Sequence, residues 1–149
     1  MHINSSHKSP ALVKADVEET FYDDFECRNF LQGLRWRQRI TCPHCDYEFP
    51  GDAQKRVDDE DVRYYCENCK KRFTVLTGTF MEGSKSKIVT WFTLIALDFL
   101  SAREAAKELG ISKNTVIAMR QKLKGVIGLD KEIVDFIRGT YLLWEDLNL

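Results

Sequence analysis

Hydrophobic positions in the first third of the chain follow the period of an α-helix. Four apolar residues occupy positions i, i+3, i+4 and i+7 of one stripe: Cys27, Phe30, Leu31 and Leu34. This spacing predicts a short helix with one buried face, within residues 20–39, and Asp23 or Asp24 suits its N-cap. We expect Cys27 in the core rather than as a ligand or sensor thiol, because free cysteine commonly behaves as a small buried hydrophobe. Residues 1–19 show no such period and are predicted to form a flexible tail.

The second half of the chain carries a series of helix start and stop signals. Residues 86–100 are apolar on nearly every face, which predicts a central helix. Ser101 and Glu104 form the sequence signature of a capping box. Gly110 favours a helix end, and Ser112 suits the N-cap of a third helix. In that helix we expect three buried residues: Val116, Met119 and Leu123. A last helix is predicted near residues 131–143, with four buried residues: Ile133, Val134, Ile137 and Leu142.

Residues 40–80, between these helical parts, have the composition of short strands and turns. Residues 63–65 and 72–75 suit strands. Pro50-Gly51 is a turn signal, and the acidic run over residues 58–61 suits a solvated loop. The predicted fold is therefore a small mixed α+β structure. It comprises the N-terminal helix, a four-cysteine ribbon over residues 40–80, a helical module over residues 84–125 and a C-terminal helical segment over residues 126–149.

Four of the five cysteines form two C-x-x-C pairs. Cys42 and Cys45 are separated by twenty residues from Cys66 and Cys69. Two such pairs at this distance match a tetrahedral four-thiolate zinc site. Since four ligands leave no open position, we expect one structural Zn²⁺. The alternatives are a redox dithiol, two unrelated turns, or His44 replacing one cysteine.

Residues 102–121 match the pattern of a helix-turn-helix. Ala106 is small enough to let the second helix cross closely over the first, and Gly110 suits the turn. Three apolar residues then face the core: Ile111, Val116 and Met119. If the second helix enters the major groove, residues of its N-terminal part should reach base edges.

Eleven residues of this region suit contacts with DNA. Five face away from the core stripe and have side chains that pair with base edges: Lys113, Asn114, Ile117, Ala118 and Gln121. Six suit phosphate contacts, which position a protein without selecting sequence: Lys85, Lys87, Ser112, Thr115, Lys122 and Lys124. The alternative for each is an ordinary solubilising surface residue.

The distribution of charge supports an anionic partner for the helical module. The chain has 22 basic and 23 acidic residues, for a formal charge of −1. Residues 78–128 nevertheless hold eight basic and four acidic groups, a balance of +4, whereas residues 41–77 hold six and eight. A basic segment between acidic neighbours indicates where an anionic partner docks.

The composition is that of a globular protein, with 44% hydrophobic and 30% charged residues, and it excludes disordered and collagen-like chains. The most apolar stretch, residues 91–100, is too short to cross a bilayer, which takes about 20 residues. The first twenty residues contain no hydrophobic block, so we expect no secretory signal. The expected location is therefore the cytoplasm, in association with the nucleoid.

The order of these motifs resembles zinc-ribbon transposases of bacterial and archaeal insertion sequences. The resemblance covers about residues 20–125 and is sharpest over residues 65–92, where Phe73-Thr74-Val75 and Thr77-Gly78-Thr79 stand. It implies an N-terminal DNA-binding part that engages transposon ends. The family continues with a ribonuclease-H-like catalytic domain, whereas only 21 residues follow Gly128 in this sequence. We therefore expect no enzymatic activity from this chain alone.

The sequence thus predicts a zinc-stabilised protein that binds double-stranded DNA and regulates transcription or transposition. Its expected further partners are a second copy in a homodimer, or a separate transposase or transcription protein, with no membrane involved. One alternative is a truncated transposase subunit that acts with a separate catalytic chain. Another is a zinc-ribbon adaptor that binds protein through its acidic ribbon.

Overall fold

The computed structural model describes residues 9–50 and 63–141. Over these ranges the chain forms one two-stranded antiparallel sheet and six helices, so the predicted mixed α+β class is confirmed. The strands are β1 (Tyr64–Cys66) and β2 (Lys71–Phe73). The helices are α1 (Pro10–Thr20), α2 (Asp24–Arg35), α3 (Ile88–Ala96), α4 (Ala102–Leu109), α5 (Lys113–Lys122) and α6 (Gly128–Tyr141).

Helix α3 is the centre of the helical core, as its apolar composition predicts. Seven of its nine residues are buried, and α1, α2, α4 and α6 pack around it. The helix is shorter than the predicted span of residues 86–100. It begins after Lys87 and ends at Ala96. The backbone of the next residue, Leu97, departs from helical geometry, although its N–H still bonds to Thr93 O.

The prediction of a flexible tail over residues 1–19 is wrong from Pro10 onward, because Pro10–Thr20 is helix α1. Ser9 caps this helix by accepting a hydrogen bond from Leu12 N–H, and proline occupies its first position, where its missing N–H costs nothing. Val13 and Val17, one turn apart, are fully buried and form the apolar stripe that packs on α3.

Helix α2 follows the predicted pattern. Asp23 is its N-cap and accepts a hydrogen bond from Glu26 N–H at 2.8 Å. Cys27 is fully buried, as expected, and burial raises the pKa of its thiol to about 12. A thiol held in this neutral form is a packing group rather than a reactive one.

The signals that flank α4 and α5 are confirmed. Ser101 and Glu104 form a complete capping box, and Gly110 ends α4 in the left-handed conformation with φ of 70°. Ser112 caps α5 by accepting a hydrogen bond from Thr115 N–H. Ala106, the small residue expected at the crossing, is buried where α4 meets α5.

Helix α6 covers the helical core and begins three residues earlier than predicted. It buries Ile133, Val134 and Ile137 as expected, with Tyr141 as the fourth buried residue. Leu142 lies outside the described residues, as do the predicted loop over residues 58–61 and Gly51 of the turn signal.

Residues 41–50 and 63–77, here called the cysteine module, have a small core of their own. Its fully buried members are Cys42, Tyr64, Cys66 and Phe73, and the rings of Tyr64 and Phe73 stack at 5.2 Å. Trp36, at the end of α2, packs against this core and also against the helical one. The cysteine module is therefore joined to the helices by shared apolar contacts.

Arg35 reinforces the same junction. Its guanidinium donates to Val75 O at 2.6 Å, near the C-terminal end of the cysteine module. Burial lowers the pKa of Arg35, while the carboxylates of Asp130 and Glu82 oppose that shift and keep the group charged. Asp130 Oδ1 also accepts a hydrogen bond from Phe80 N–H at 3.3 Å, so α6 is held at this junction as well.

Candidate metal centre and nucleic-acid interface

The two C-x-x-C segments fold into matching turns. In the first turn Asp46 N–H bonds to Cys42 O at 2.9 Å, and in the second Lys70 N–H bonds to Cys66 O at 2.7 Å. The residue after each second cysteine adopts a positive φ, 65° at Asp46 and 63° at Lys70. Both turns thus present their two sulfurs in the same way. The sequence did not indicate this conformation, since neither residue is glycine.

These turns bring all four sulfur atoms into one cluster. The Sγ atoms of Cys42, Cys45, Cys66 and Cys69 lie within 4.8 Å of one another, and none is in a disulfide. Cys42 Sγ is 3.7 Å from Cys69 Sγ, and Cys45 Sγ is 3.6 Å from Cys66 Sγ. Tetrahedral coordination by thiolates at about 2.3 Å places sulfurs at separations of this size. The cluster could therefore hold one metal ion with all four sulfurs as ligands.

Neighbouring groups stabilise negative charge at part of this cluster. Asn68 Nδ2 donates to Cys45 Sγ at 3.4 Å, which is the main reason that the pKa of this thiol falls to about 6. His44 N–H donates to Cys42 Sγ at 3.4 Å. Hydrogen bonds of this kind orient thiolate ligands and tune a bound metal from outside the coordination shell. Asn68 was not singled out from the sequence, although its place inside the second C-x-x-C was a usable signal.

His44 lies outside the group of four possible ligands. Its ring is exposed, and Nε2 lies 3.1 Å from Arg72 O on β2. That contact joins the first cysteine turn to the sheet. His44 therefore has a structural partner, and the four-cysteine set is the one the geometry favours.

The structure leaves one face of α5 open to solvent. Val116 and Met119 are buried against the rest of the helical core, whereas the five residues expected to meet base edges are all exposed. These are Lys113, Asn114, Ile117, Ala118 and Gln121. Ile117 stands out, because 40% of this large apolar residue is exposed. The face combines cationic, amide and apolar groups, which is the chemistry that base edges accept.

The residues expected to contact phosphate lie around α5. Lys122 and Lys124 are exposed at its C-terminal end. Ser112 and Thr115 are at its N-terminal end, where their hydroxyls are 2.8 Å apart. Lys85 and Lys87 are exposed on the loop before α3.

A sulfur contact links that loop to α5. Between the two lysines, Ser86 Oγ donates to Met119 Sδ at 3.7 Å. The next residue of α5, Arg120, donates to Leu97 O at 3.1 Å, just after α3. These two contacts hold α5 and the lysine-bearing loop in one arrangement.

The carboxylates of α6 already have partners. Asp130 accepts from Phe80 N–H, Glu132 lies 3.6 Å from Arg37, and Asp135 pairs with Lys131. In the described part of the chain, the cysteine cluster is the only group of three or more metal-ligating side chains. None of the described helices is long and apolar enough to cross a membrane.

The sequence is similar to a protein of a transposable element. Over 110 residues, 70% of this chain, the sequence is 32% identical to an uncharacterised protein in the transposable element ISH50 of Halobacterium salinarum. The chain spans 36% of that relative's length. No family model matches the sequence, and no solved structure matches it. The chain is thus similar to part of a transposable-element protein, which agrees with the resemblance to transposases seen in its motifs.

Proposed function

We propose that this protein is a zinc-stabilised DNA-binding protein that regulates transcription or transposition. Helices α4 and α5 act as a helix-turn-helix, with α5 in the major groove. The observation that carries the proposal is the exposed face of α5. It presents Lys113, Asn114 and Gln121 on a helix whose opposite side is anchored in the core.

The crossing of α4 and α5 supports this assignment. The left-handed Gly110 and the Ser112 cap produce a short turn between the helices, and Ala106 allows their close approach. Arg120 and Met119 fix α5 to neighbouring segments. A helix that is already fixed in the fold loses little backbone freedom on binding, and its N-terminal residues are the ones that reach base edges in this class of protein.

The metal ion in this proposal is structural Zn²⁺. Four thiolates fill a tetrahedral shell and leave no position for water or substrate. The ion would hold the two cysteine turns together, and the cysteine module in turn supports α2 through Trp36. In this arrangement the zinc ion stabilises the fold and takes no part in catalysis.

We further propose that the chain alone is not an enzyme. A two-metal nuclease site needs several carboxylates converging on shared ions, whereas the three described acidic residues of α6 are engaged by Phe80, Arg37 and Lys131. A second candidate function is a transposase subunit that works with a separate catalytic chain. The observation that favours it is the longer transposable-element relative, of which this chain spans 36%.

A gel-shift titration of the zinc-loaded chain on random-sequence duplex, repeated over a salt series, tests the proposal. We expect binding that weakens with salt, with a logarithmic slope of about −0.9 per phosphate contact. Lys122→Ala should reduce that slope by about one contact. As the control, Lys107→Ala removes an exposed lysine from α4, outside the predicted contact set, and should leave the slope unchanged. Absence of duplex binding at low salt would refute the proposal and favour the protein-binding adaptor.

A further inference from the structure

A surface groove lies between the end of α1, the first half of α2 and the last two turns of α6. Its volume is about 670 Å³, which is within the roughly 300–1,000 Å³ typical of binding sites. None of its lining residues belongs to the cysteine module, to α4 or to α5. The groove is therefore a feature that the proposed function does not use.

Part of the groove lining is a row of aromatic rings. The rings of Phe21 and Phe30 meet edge to face with centroids 5.2 Å apart, and the Phe30 ring lies 4.9 Å from that of Phe136. Phe21 also packs on Phe92 of α3, so the row starts in the helical core. It ends at Phe136, which is 46% exposed. An exposed ring that is fixed by packed neighbours gives a firm anchor for a bulky apolar side chain.

The charged groups of the groove lining are all acidic. They are Asp16, Glu19 and Glu26, and no basic side chain of the described residues lines the groove. Glu19 is exposed, and within the described part of the chain neither Glu19 nor Glu26 forms an ion pair. Several carboxylates around a concave surface repel phosphate and attract cationic groups. The groove is therefore unsuited to DNA or an anionic membrane surface and fits a cationic partner.

An amphipathic helix with basic residues beside its apolar face has the chemistry that matches this groove. Helices dock into apolar grooves through side chains spaced i, i+3 or i+4. A bulky apolar side chain of such a helix would pack on Phe136, and lysines or arginines one turn away would pair with Glu19 and Glu26. Residues 142–149 of this chain directly follow α6, but they carry two carboxylates and no basic side chain. Their charge does not match the groove.

We propose that this groove binds a basic amphipathic helix of a separate protein. The inference goes beyond the proposed function and does not depend on it, because the groove and the exposed face of α5 share no residue. Both surfaces belong to one helical core that is centred on α3. A chain that holds DNA through α5 and a protein through the groove would bring that protein to the bound DNA, as a regulator or a subunit of a larger assembly does.

The test measures binding of three synthetic peptides to the zinc-loaded full chain by fluorescence anisotropy. The first is an amphipathic helical peptide with a leucine face and flanking lysines. The second has glutamate in place of each lysine, and the third has serine in place of each leucine. We expect the leucine–lysine peptide to bind about tenfold or more tightly than either of the others, because only it supplies both the apolar anchor and the matching charge. Its affinity should fall as salt is added.

Two matched pairs of variants separate the groove from the overall charge and apolar surface of the chain. Glu19→Lys should weaken binding of the leucine–lysine peptide by about fivefold, since it removes an ion pair and adds a like charge. Glu18→Lys makes the same change at an exposed residue outside the lining and should have a clearly smaller effect. Phe136→Ala should weaken binding by about tenfold. Phe25→Ala, at a position that is 44% exposed and outside the lining, should leave it unchanged.

Three results would overturn the inference. The first is failure to bind the leucine–lysine peptide, or equal affinity for all three peptides. The second is an equal effect of the two variants within either pair. The third is a dimer in sedimentation experiments that is lost in Phe136→Ala, because the groove would then hold a second copy of this chain.

Discussion

Replacing Cys66 by serine should unfold the cysteine module while the helical core stays folded. Two of the four fully buried members of the module core, Cys42 and Cys66, are proposed metal ligands. The other two, Tyr64 and Phe73, contribute about 1.5–3 kcal/mol each by burial, or about 3–6 kcal/mol together. Binding of Zn²⁺ to four such ligands is worth about 10–16 kcal/mol at neutral pH. Bound zinc would therefore be the larger contribution, and without it a hairpin of two three-residue strands is marginally stable at best.

Metal content and amide hydrogen exchange measure this outcome together. We expect one zinc per wild-type chain by elemental analysis and less than one in Cys66→Ser. Protection should be lost over residues 64–73 and kept in α3 and α6. Cys27→Ser is the control, because Cys27 is fully buried in the helical core and is not one of the four clustered cysteines. It should retain zinc and lower the stability of the helical core instead. Full metal content in Cys66→Ser, or a metal-free cysteine module that keeps its protection, would refute the reasoning.

Three further predictions concern stability and activity. Ile137→Ala should lower the free energy of unfolding by about 2–5 kcal/mol. Phe136→Ala, at a position that is 46% exposed, should lower it by less. Denaturant titration of the two variants measures both changes. The hydrogen bond from Ser101 N–H lowers the pKa of Glu104. The ionised carboxylate therefore stabilises the fold above its ordinary pKa of 4.5, and this stabilisation is lost as the pH falls. The difference in unfolding free energy between wild type and Glu104→Gln, measured by denaturant titration, should shrink below about pH 4.5. Incubation of the purified chain with transposon-end DNA and manganese should give no cleavage; specific cleavage lost on neutralising Asp130 and Asp135 would contradict this.

The sequence predicted the helices around the turn best, because each boundary there has a residue with one strong local preference. Ser101, Gly110 and Ser112 each fix a cap by their own side chain or backbone. Each C-x-x-C pair was predictable for a similar reason, since the spacing of two thiolates within a pair is set by local turn geometry. These features need no knowledge of distant contacts.

The parts that were missed depend on distant contacts or on weak patterns. Helix α1 has only two buried residues, Val13 and Val17, too few for a clear period, although Ser9-Pro10 is a helix-start signal. The role of Arg35 depends on Val75, forty residues later. Gln32 on α2 and Tyr64 on β1 each bury a side-chain oxygen that has no hydrogen-bond partner among the described residues, and burial of this kind depends on how the two elements pack.

The central claim is that α5 recognises DNA sequence through its exposed face, and one measurement tests it most directly. Duplexes are selected from a random pool by the zinc-loaded protein, and Asn114→Ala and Lys124→Ala are then titrated on the selected sequence and on a scrambled one. Asn114→Ala should weaken binding to the selected duplex by about 1–3 kcal/mol and leave the scrambled duplex almost unaffected, whereas Lys124→Ala should weaken both alike. Equal losses on both duplexes for both variants, or a pool that yields no preferred sequence, would contradict the account.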